Sequence, residues 1–357
     1  MKQTIFRGAI LGLLASPASA HAEAVQPYGR LNLAMEDVRT SGGASTGRLS
    51  NYRSVLGVRG GEDLGDGLRL VFQVEGTLSP DTGAGAIAAR DTRVGLAGNW
   101  GTLFGGNWTT PYNSATSGLD PFYPTTAGYM SIMGNGSAAT ANNASDTSSF
   151  DRRQQNSVHY WSPAWHGLSL RLAHGLNEER PASGAKPSLS SGALVYENGG
   201  LYAALAHERH HAYRGPGLED RASKLAAAYR FGTLRLAGAV EWLRYETAGG
   251  TLERVSGFVS LTKQFGPHGL QLAIAKAGNG KGSTTEKVGF IRAGSATGAV
   301  HATLGYDLAL SRRTSLFVFH TRLRNDAHGV YDFAINGLDG GAGATASGTA
   351  LGVRHAF

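Results

Sequence analysis

The stretch Leu68-Arg69-Leu70-Val71-Phe72-Gln73-Val74-Glu75 carries the pattern that decides the fold. Its residues alternate with a period of two. Leu68, Leu70, Phe72 and Val74 therefore lie on one face of a β-strand, and the other face carries Arg69, Val71, Gln73 and Glu75. The same alternation returns at intervals along the chain, at 31–33, 168–172, 224–230, 234–242 and 304–310. The sequence therefore predicts an all-β protein.

Two architectures produce this alternation. A soluble sandwich buries the apolar faces of its strands, whereas a membrane barrel exposes them to lipid. Three features favour the barrel: polar faces with Arg, Lys and Glu inside the strands, Tyr and Trp near strand ends, and tight connections that alternate with long ones. Tight connections are predicted near 99–101, 198–200, 231–233, 266–269 and 311–313, and long ones near 39–49, 79–89, 177–188, 212–219, 279–297 and 325–345. The count is about sixteen antiparallel strands, enough to enclose an aqueous channel.

The first 22 residues have the pattern of a secretory signal. Lys2 and Arg7 form a basic start, residues 9–15 an apolar core, and a small-x-small site predicts cleavage after Ala20 or Ala22. The alternative is a buried N-terminal helix. The prediction leaves 23–357 as the mature chain, which is either a periplasmic protein or a multi-pass barrel of the bacterial outer membrane.

The composition excludes several classes of site. None of the 357 residues is Cys, so there is no disulfide framework and no thiolate metal site. The formal charge is +7, but no Lys/Arg run exceeds two residues, so no nucleic-acid partner is indicated. No cofactor is expected.

The segment 107–153 interrupts the alternation. It is rich in Gly, Ala, Ser, Thr and Asn and shows neither a strand nor a helix period. Loops longer than about 12–15 residues are uncommon in compact folds and are usually functional. We expect this segment to fold into the barrel and to limit what passes through it.

The chain ends on a further alternating segment, Leu351-Gly-Val-Arg-His-Ala-Phe357. Leu351, Val353, His355 and Phe357 share one face. Because an exposed terminal strand would leave an unpaired edge, we expect it to pair with the first strand near 28–38 and close the barrel. The aromatic final residue, Phe357, is interpreted as a membrane-insertion signature.

In its motifs the chain resembles the Gram-negative general porins, of the beta-proteobacterial type. Matching stretches include Tyr28-Gly-Arg-Leu-Asn32, Gly57–Leu68, Phe72–Glu75, Arg90–Thr102, Trp108-Thr-Thr-Pro-Tyr112, Asn156–Pro163, Gly305–Thr314 and Gly352–Phe357. The resemblance implies a sixteen-stranded, homotrimeric barrel in outer-membrane lipid. It also implies an inward-folded third outer loop at about 108–153, between the fifth and sixth strands. Trp108, Pro111, Tyr112, Tyr123 and Tyr129 are the predicted constriction residues.

Basic residues are expected on the inner wall. Parity directs Arg30, Arg53 and Arg69 inward, because a lipid-facing Arg near the membrane midplane costs roughly 2–4 kcal/mol. The resemblance adds Arg90, although strict alternation favours Arg93 at that strand, and the sequence does not decide between them. Two positions depart from the family: Val55 stands where a wall arginine is usual, and His159 where another basic residue is usual. The predicted pore-lining acids are Glu75 on the wall and Asp120 on the loop, which also carries Asp146 and Asp151.

The segment His207-Glu208-Arg209-His210-His211 formally matches the H-E-x-x-H zinc motif. That motif works on a helix, where residues four apart share a face. A strand is predicted here, and it would hold His207 and His211 about 13 Å apart. No metal site is therefore predicted.

The predicted function is a non-enzymatic, water-filled channel for passive diffusion of small hydrophilic solutes and ions, with a modest preference for anions. One alternative is a substrate-selective channel, for which Tyr112, Tyr123 and Tyr129 on the loop give weak support. The other is an outer-membrane metallohydrolase that uses His207, Glu208 and His211.

Overall fold

The computed structural model describes residues 25–145, 147–179 and 181–357. The predicted signal segment and Asp146 lie outside these residues. The described chain forms one sheet of twenty strand segments that closes on itself. Sixteen of them are full strands of a barrel, since β2 continues into β3 and β5, β8 and β17 are short additions. The prediction of a sixteen-stranded antiparallel barrel is confirmed.

The strands follow one another around the barrel in chain order. Their bounds are β1 Gln26–Thr40, β2 Thr46–Asn51, β3 Ser54–Gly65, β4 Leu68–Ser79, β5 Ala84–Ala86, β6 Thr92–Gly98, β7 Gly101–Thr109, β8 Ala138–Ala141, β9 Arg152–Trp161, β10 Leu168–Gly175, β11 Ser188–Asn198, β12 Leu201–His211, β13 Glu219–Phe231, β14 Leu234–Thr247, β15 Gly250–Phe265, β16 His268–Ala277, β17 Lys281–Gly282, β18 Ala299–Ala309, β19 Thr314–Asn325 and β20 Thr345–Ala356.

An apolar surface covers the outside of the barrel. Residues predicted to share a face do so, and they remain exposed because the fold leaves that face for lipid. The exposed outward residues include Leu170, Leu172, Leu205, Leu225, Leu236, Val240, Trp242, Val259 and Leu304. Tyr229, Phe231 and Phe265, also exposed, lie at the strand ends opposite the long loops. They match the aromatic girdle of a membrane barrel.

The connections follow the predicted alternation of tight turns and long loops. One long-side connection is only a turn, however, between Thr247 and Gly250, and no long loop was predicted there. No helix in the described part of the chain is long and apolar enough to cross a membrane.

The barrel closes where the last strand meets the first. β20 pairs antiparallel with β1 from Arg30↔Ala356 to Thr40↔Ala346, as predicted. Beyond β20, Phe357 and Gly29 exchange two backbone hydrogen bonds of 3.1 Å. The Phe357 ring packs on Gly29 so closely that a Cβ there would lie 2.3 Å from its Cζ and 2.9 Å from the carbonyl oxygen of Val55. The absence of a side chain at Gly29 therefore permits this closure.

Gly29→Leu should destabilise the barrel by about 1–3 kcal/mol, because the new side chain overpacks the closure. We expect a lower midpoint for the heat-induced shift from folded to unfolded barrel on a gel. Gly47→Leu is the matched control, since its Cβ would meet nothing within 4 Å. Equal midpoints for the two variants would contradict this account of the closure.

Candidate functional site

The third long connection, residues 110–151, folds into the barrel between β7 and β9. It is more ordered than its composition indicated, because it contains the helix α1, Pro111–Ser117, and two single 3₁₀ turns. Thr110 caps α1 by accepting a hydrogen bond from the Asn113 N–H, and Pro111 occupies the first helical turn. This Thr-Pro pair is a helix-start signal, although no helix was predicted at this position.

A wall of alanines receives the helix. α1 contacts β10 to β13, where six of the inward-facing residues are buried alanines: Ala193, Ala204, Ala206, Ala222, Ala226 and Ala228. Tyr202 donates a hydrogen bond of 2.6 Å to the carbonyl of Ala115. Arg235 donates one of 2.9 Å to the carbonyl of Gly118. Small side chains on the inner wall thus leave the space that the loop fills.

A buried carboxylate on β14, the strand that follows the alanine-rich wall, fixes the loop in place. Glu241 of β14 is fully buried and accepts hydrogen bonds from the Tyr112 hydroxyl at 2.8 Å and the Gly134 N–H at 2.9 Å. Arg254 lies 3.1 Å from one of its oxygens and Lys224 lies 3.8 Å from the other. One side chain of the wall therefore holds two points of the loop that are 22 residues apart.

Aromatic contacts complete the seat of the loop. Tyr129 packs against Phe258 with ring centres 5.0 Å apart, and Phe122 packs against Phe319 at 6.0 Å. Outer loops also reach in: the side chain of Asn135 accepts a hydrogen bond from the Phe290 N–H at 2.8 Å. Most of the loop is therefore buried between the wall and the outer loops.

Asp120 has a role inside the loop, which replaces the pore-lining role expected from the sequence. It is 5% exposed, and its carboxylate accepts the N–H groups of Phe122 at 3.0 Å and Tyr129 at 2.7 Å. Burial raises the pKa of Asp120 to about 7. Period-based reasoning could not foresee this, because the two donors come from a turn within the loop itself.

The remaining face of the loop borders an arginine-rich part of the wall. Arg53 donates hydrogen bonds to the hydroxyls of Tyr123, at 3.5 Å, and of Ser137. Arg30 donates to the carbonyl of Arg53 at 3.2 Å. Neither guanidinium has a carboxylate at ion-pair distance among the described residues. At this edge of the loop two positive charges lie without a direct ion pair, and Tyr123 bridges Arg53 to the buried Asp151.

The neighbouring arginines are paired. Arg90 lies 2.8 Å from Glu75, which also accepts a hydrogen bond from the Tyr28 hydroxyl. Arg153 lies 2.6 Å from Asp91. Farther along the wall, Arg354 lies 3.6 Å from Asp307. Glu75 is therefore neutralised locally.

The structure explains the conflict between Arg90 and Arg93. Arg90 precedes β6, which begins at Thr92, so strand alternation does not extend to it. Arg93 lies within β6, opposite in parity to the exposed Val94, and therefore on the inner face. Its guanidinium carbon lies 4.5 Å from the ring centre of Trp108, 4.7 Å from that of Phe104 and 5.0 Å from that of Trp161. Both arginines are thus on the inner side, but Arg93 is enclosed by aromatic rings.

The other predicted wall positions, His159, Val55 and Arg69, lie in three different places on the barrel. His159 is 1% exposed, stacks on Phe104 at 4.8 Å and bonds to Ser157, so it belongs to the packed wall and not to an open pore surface. Val55 lies on the inner face beside Arg53. Arg69 lies next to the turn that joins β3 to β4, far along the strand from Glu75.

The three predicted tyrosines of the loop lie in different environments. Tyr112 is fully buried behind the loop, and Tyr129 is 3% exposed. Only Tyr123 stands beside the arginine-rich edge, where its hydroxyl donates to Asp151 at 3.2 Å. An aromatic series along the passage is not formed by these three side chains.

The H-E-x-x-H segment lies on β12, as the strand prediction required. Glu208 and His210 face inward and are buried, whereas His207, Arg209 and His211 face outward. Within the described ranges no group of three or more His, Asp or Glu side chains could hold a metal ion. The motif residues are therefore divided between two sides of the wall.

Glu241→Ala should release the loop, because it leaves Lys224 and Arg254 buried without their shared carboxylate. Breaking a buried pair costs about 3–5 kcal/mol. We expect protease cleavage within 110–151 in the variant, mapped by mass spectrometry of the folded barrel. Glu253→Ala, which removes an exposed partner of Arg244, should leave the loop resistant. Equal resistance of both variants would exclude Glu241 as the anchor.

Asp120 should make the stability of the loop depend on pH. Its pKa rises from 3.8 to about 7 on folding, so its contribution is fully present below about pH 4 and is lost as the pH rises to about 7. We expect the thermal midpoint of the wild type to fall over that window and the midpoint of Asp120→Asn to fall less. Asp66→Asn, in the turn after β3, is the control and should keep the wild-type pH profile. Parallel pH profiles for all three proteins would contradict the assignment of this pH dependence to Asp120.

Comparison with known proteins identifies the family. A family model described as Gram-negative porin matches residues 9–328. The chain is similar to outer membrane porin protein 32 of Delftia acidovorans, with 29% identity over 88% of this chain and 86% of that protein. It is also similar to an outer membrane porin of Bordetella pertussis, with 26% identity over 76% and 77% of the two chains.

A solved structure extends the match to three dimensions. An anion-selective porin from Comamonas acidovorans superposes with a TM-score of 0.80 and 25% identity, over 94% of this chain and 99% of that one. The sequence resemblance, the sixteen strands and the inward loop agree with these comparisons. The chain belongs to the Gram-negative porins and forms a barrel channel in the outer membrane.

Proposed function

We propose that this porin passes small hydrophilic solutes and ions with a modest preference for anions, set at the edge of the inward loop. The observation that carries the proposal is the pair Arg30 and Arg53, whose guanidinium groups have no carboxylate partner in the described chain. They stand where the loop approaches the wall. A solute that crosses this point meets two positive charges that have no direct ion pair among the described residues.

Electrostatics at this position favours anions. Fixed charge in a narrow passage with low-dielectric walls concentrates counter-ions. The acids nearby contribute less, since Glu75 is paired with Arg90 and Asp91 with Arg153. Screening extends over about 10 Å at 0.1 M salt, so the preference should weaken as salt is added. The anion-selective relative supports the same direction of selectivity.

The features expected of a substrate-selective channel have little support. Such a channel needs a series of aromatic or basic groups along the passage, and of the three loop tyrosines only Tyr123 borders it. The two others are buried. We therefore infer passive, non-enzymatic diffusion limited by the size of the gap between loop and wall.

We further infer a homotrimer, as the family resemblance implies. In support, Ile87 on the loop that follows β4 is 90% exposed. It adjoins an outward apolar groove of about 310 Å³ lined by Leu56, Val58, Val74 and Leu78. An exposed apolar loop beside such a groove suits contact with a neighbouring subunit. Stepwise conductance insertions in groups of three would support the trimer, and single steps would oppose it.

The double variant Arg30→Gln, Arg53→Gln should lower the anion preference. Each charge contributes about 0.5 kcal/mol to an ion roughly 8 Å away in water, so the pair contributes about 1 kcal/mol. We therefore expect roughly a fivefold fall in the chloride-to-potassium permeability ratio near 0.1 M salt. The measurement is the zero-current potential of single channels in a KCl gradient.

A matched control carries the same charge change on the outside of the barrel. Arg209→Gln, Arg221→Gln removes two outward arginines that pair with Glu219, and it should keep the wild-type potential. If the inner and outer double variants give the same potential, Arg30 and Arg53 do not set selectivity.

A further inference from the structure

A second group of cations lies on the inner wall, apart from Arg30 and Arg53. It consists of Arg93 on β6 and Arg171 on β10, with Trp161 on β9 between them. We call these three residues the Arg–Trp cluster. Each of the three is partly exposed, and the proposed anion preference does not use them.

Strand parity directs this cluster into the channel. Val158 on β9 is exposed on the outer face, as are Leu170 and Leu172 on β10. Trp161 and Arg171 have the opposite parity and therefore face inward, and they pair directly across the two strands. Because β9 ends at Trp161, the cluster lies toward the end of the barrel that is opposite the long loops.

One indole ring holds two guanidinium groups. The guanidinium carbon of Arg93 lies 5.0 Å from the ring centre of Trp161, and that of Arg171 lies 5.5 Å from it. Both distances are within the range of about 6 Å over which cation–π attraction acts. Two like charges gathered around one ring repel each other, and an anion bound beside them would relieve that repulsion.

The polar groups of the cluster are donors without acceptors. Among the described residues, the guanidinium groups of Arg93 and Arg171 and the indole N–H of Trp161 make no hydrogen bond, and neither arginine has a carboxylate at ion-pair distance. Asp91, two residues before Arg93, lies 2.6 Å from Arg153 and is paired there. The cluster thus presents unused donors and positive charge beside an aromatic surface.

We propose that the Arg–Trp cluster is a binding site for aromatic carboxylates that pass through the channel. Arg171 supplies the forked N–H donors that suit a carboxylate, and the ring of the solute packs on the indole of Trp161. Arg93, which contacts three aromatic rings, adds its charge from within the wall. The proposal rests on the proposed function, since the solute must first pass the arginines at the loop edge. It adds one binding site on the wall, so diffusion remains passive.

The aromatic surface favours this class of solute over other anions. A small inorganic anion would use the charge alone and leave the indole uncovered. An aliphatic carboxylate would cover the indole without the preferred geometry of two aromatic rings, which stabilises a pair beyond the area that it buries. An aromatic carboxylate uses both the charge and the ring.

The test measures how added carboxylates block the chloride current of single channels of the intact protein in planar bilayers at constant ionic strength. Benzoate and cyclohexanecarboxylate carry the same charge and have similar sizes, and only benzoate is aromatic. We expect benzoate to half-block the current at a concentration roughly fivefold lower, the factor that corresponds to about 1 kcal/mol for an aromatic pair.

Variants of the cluster separate the ring from the charge. Trp161→Leu should abolish the difference between the two carboxylates, and Trp161→Phe should preserve most of it. Arg171→Gln should raise the half-blocking concentration of both carboxylates roughly tenfold or more, because it removes a charge-assisted hydrogen bond. Arg171→Lys should have a smaller effect, since lysine keeps the charge without the fork. The Arg171 variants leave the packed rings in place, so they test the site even where Trp161→Leu does not fold.

Trp165→Leu is the matched control, because this indole is 71% exposed in the turn after β9, and it should be blocked as the wild type is. Equal block of the wild type by the two carboxylates would overturn the proposal, as would an undiminished preference for benzoate in Trp161→Leu. Dependence on Arg171 alone, equal for both solutes, would also overturn it, in favour of a site for anions in general. The potential in a KCl gradient separates the two proposals: a wild type that prefers potassium contradicts the proposed function, whereas a chloride preference without selective block by benzoate contradicts only this site.

Discussion

The buried carboxylate of Glu241 is the contact on which the position of the inward loop depends. It joins Tyr112 at the start of the loop to Gly134 near its middle, and its charge is balanced by Lys224 and Arg254 from neighbouring strands. Buried charges are stable only when they are paired and hydrogen-bonded. If the loop left this site, the buried carboxylate would lose the two donors that Tyr112 and Gly134 supply. A segment rich in small polar residues thereby acquires a defined place inside a wide barrel.

The inner wall has two unlike sides, and their difference creates the passage. On β11 to β13 six inward residues are alanine, so the loop packs close to this part of the wall. On the opposite side, Arg30 of β1 and Arg53, which precedes β3, reach inward, and Arg53 contacts Tyr123 and Ser137 of the loop. Among the described residues, neither arginine has a carboxylate at ion-pair distance. Packing on one side therefore determines the width of the gap, and the arginines on the other side determine the sign of its electrostatic potential.

Much of the fold could be predicted from alternation alone, because a strand with one lipid-facing side repeats every two residues. The strands, the closure of the barrel by the terminal segment and the place of the loop followed from this pattern. The seat of the loop did not. Alternation did not mark Glu241 as an anchor, since its loop partners Tyr112 and Gly134 are more than a hundred residues away in sequence. Asp120 and His159 were expected at the pore surface, but Asp120 accepts hydrogen bonds within the loop and His159 packs within the wall. Alternation could not decide the place of Arg90, because this residue lies before its strand begins.

The central claim is that solutes pass between Arg53 and the edge of the loop. The chain contains no cysteine, so Arg53→Cys introduces a single thiol that can be modified in an open channel. A negatively charged methanethiosulfonate reagent should reduce the current and shift the zero-current potential toward cations, whereas a positively charged reagent should restore the anion preference. If complete modification, verified by mass spectrometry, changes neither the current nor the potential, the passage does not run past this residue.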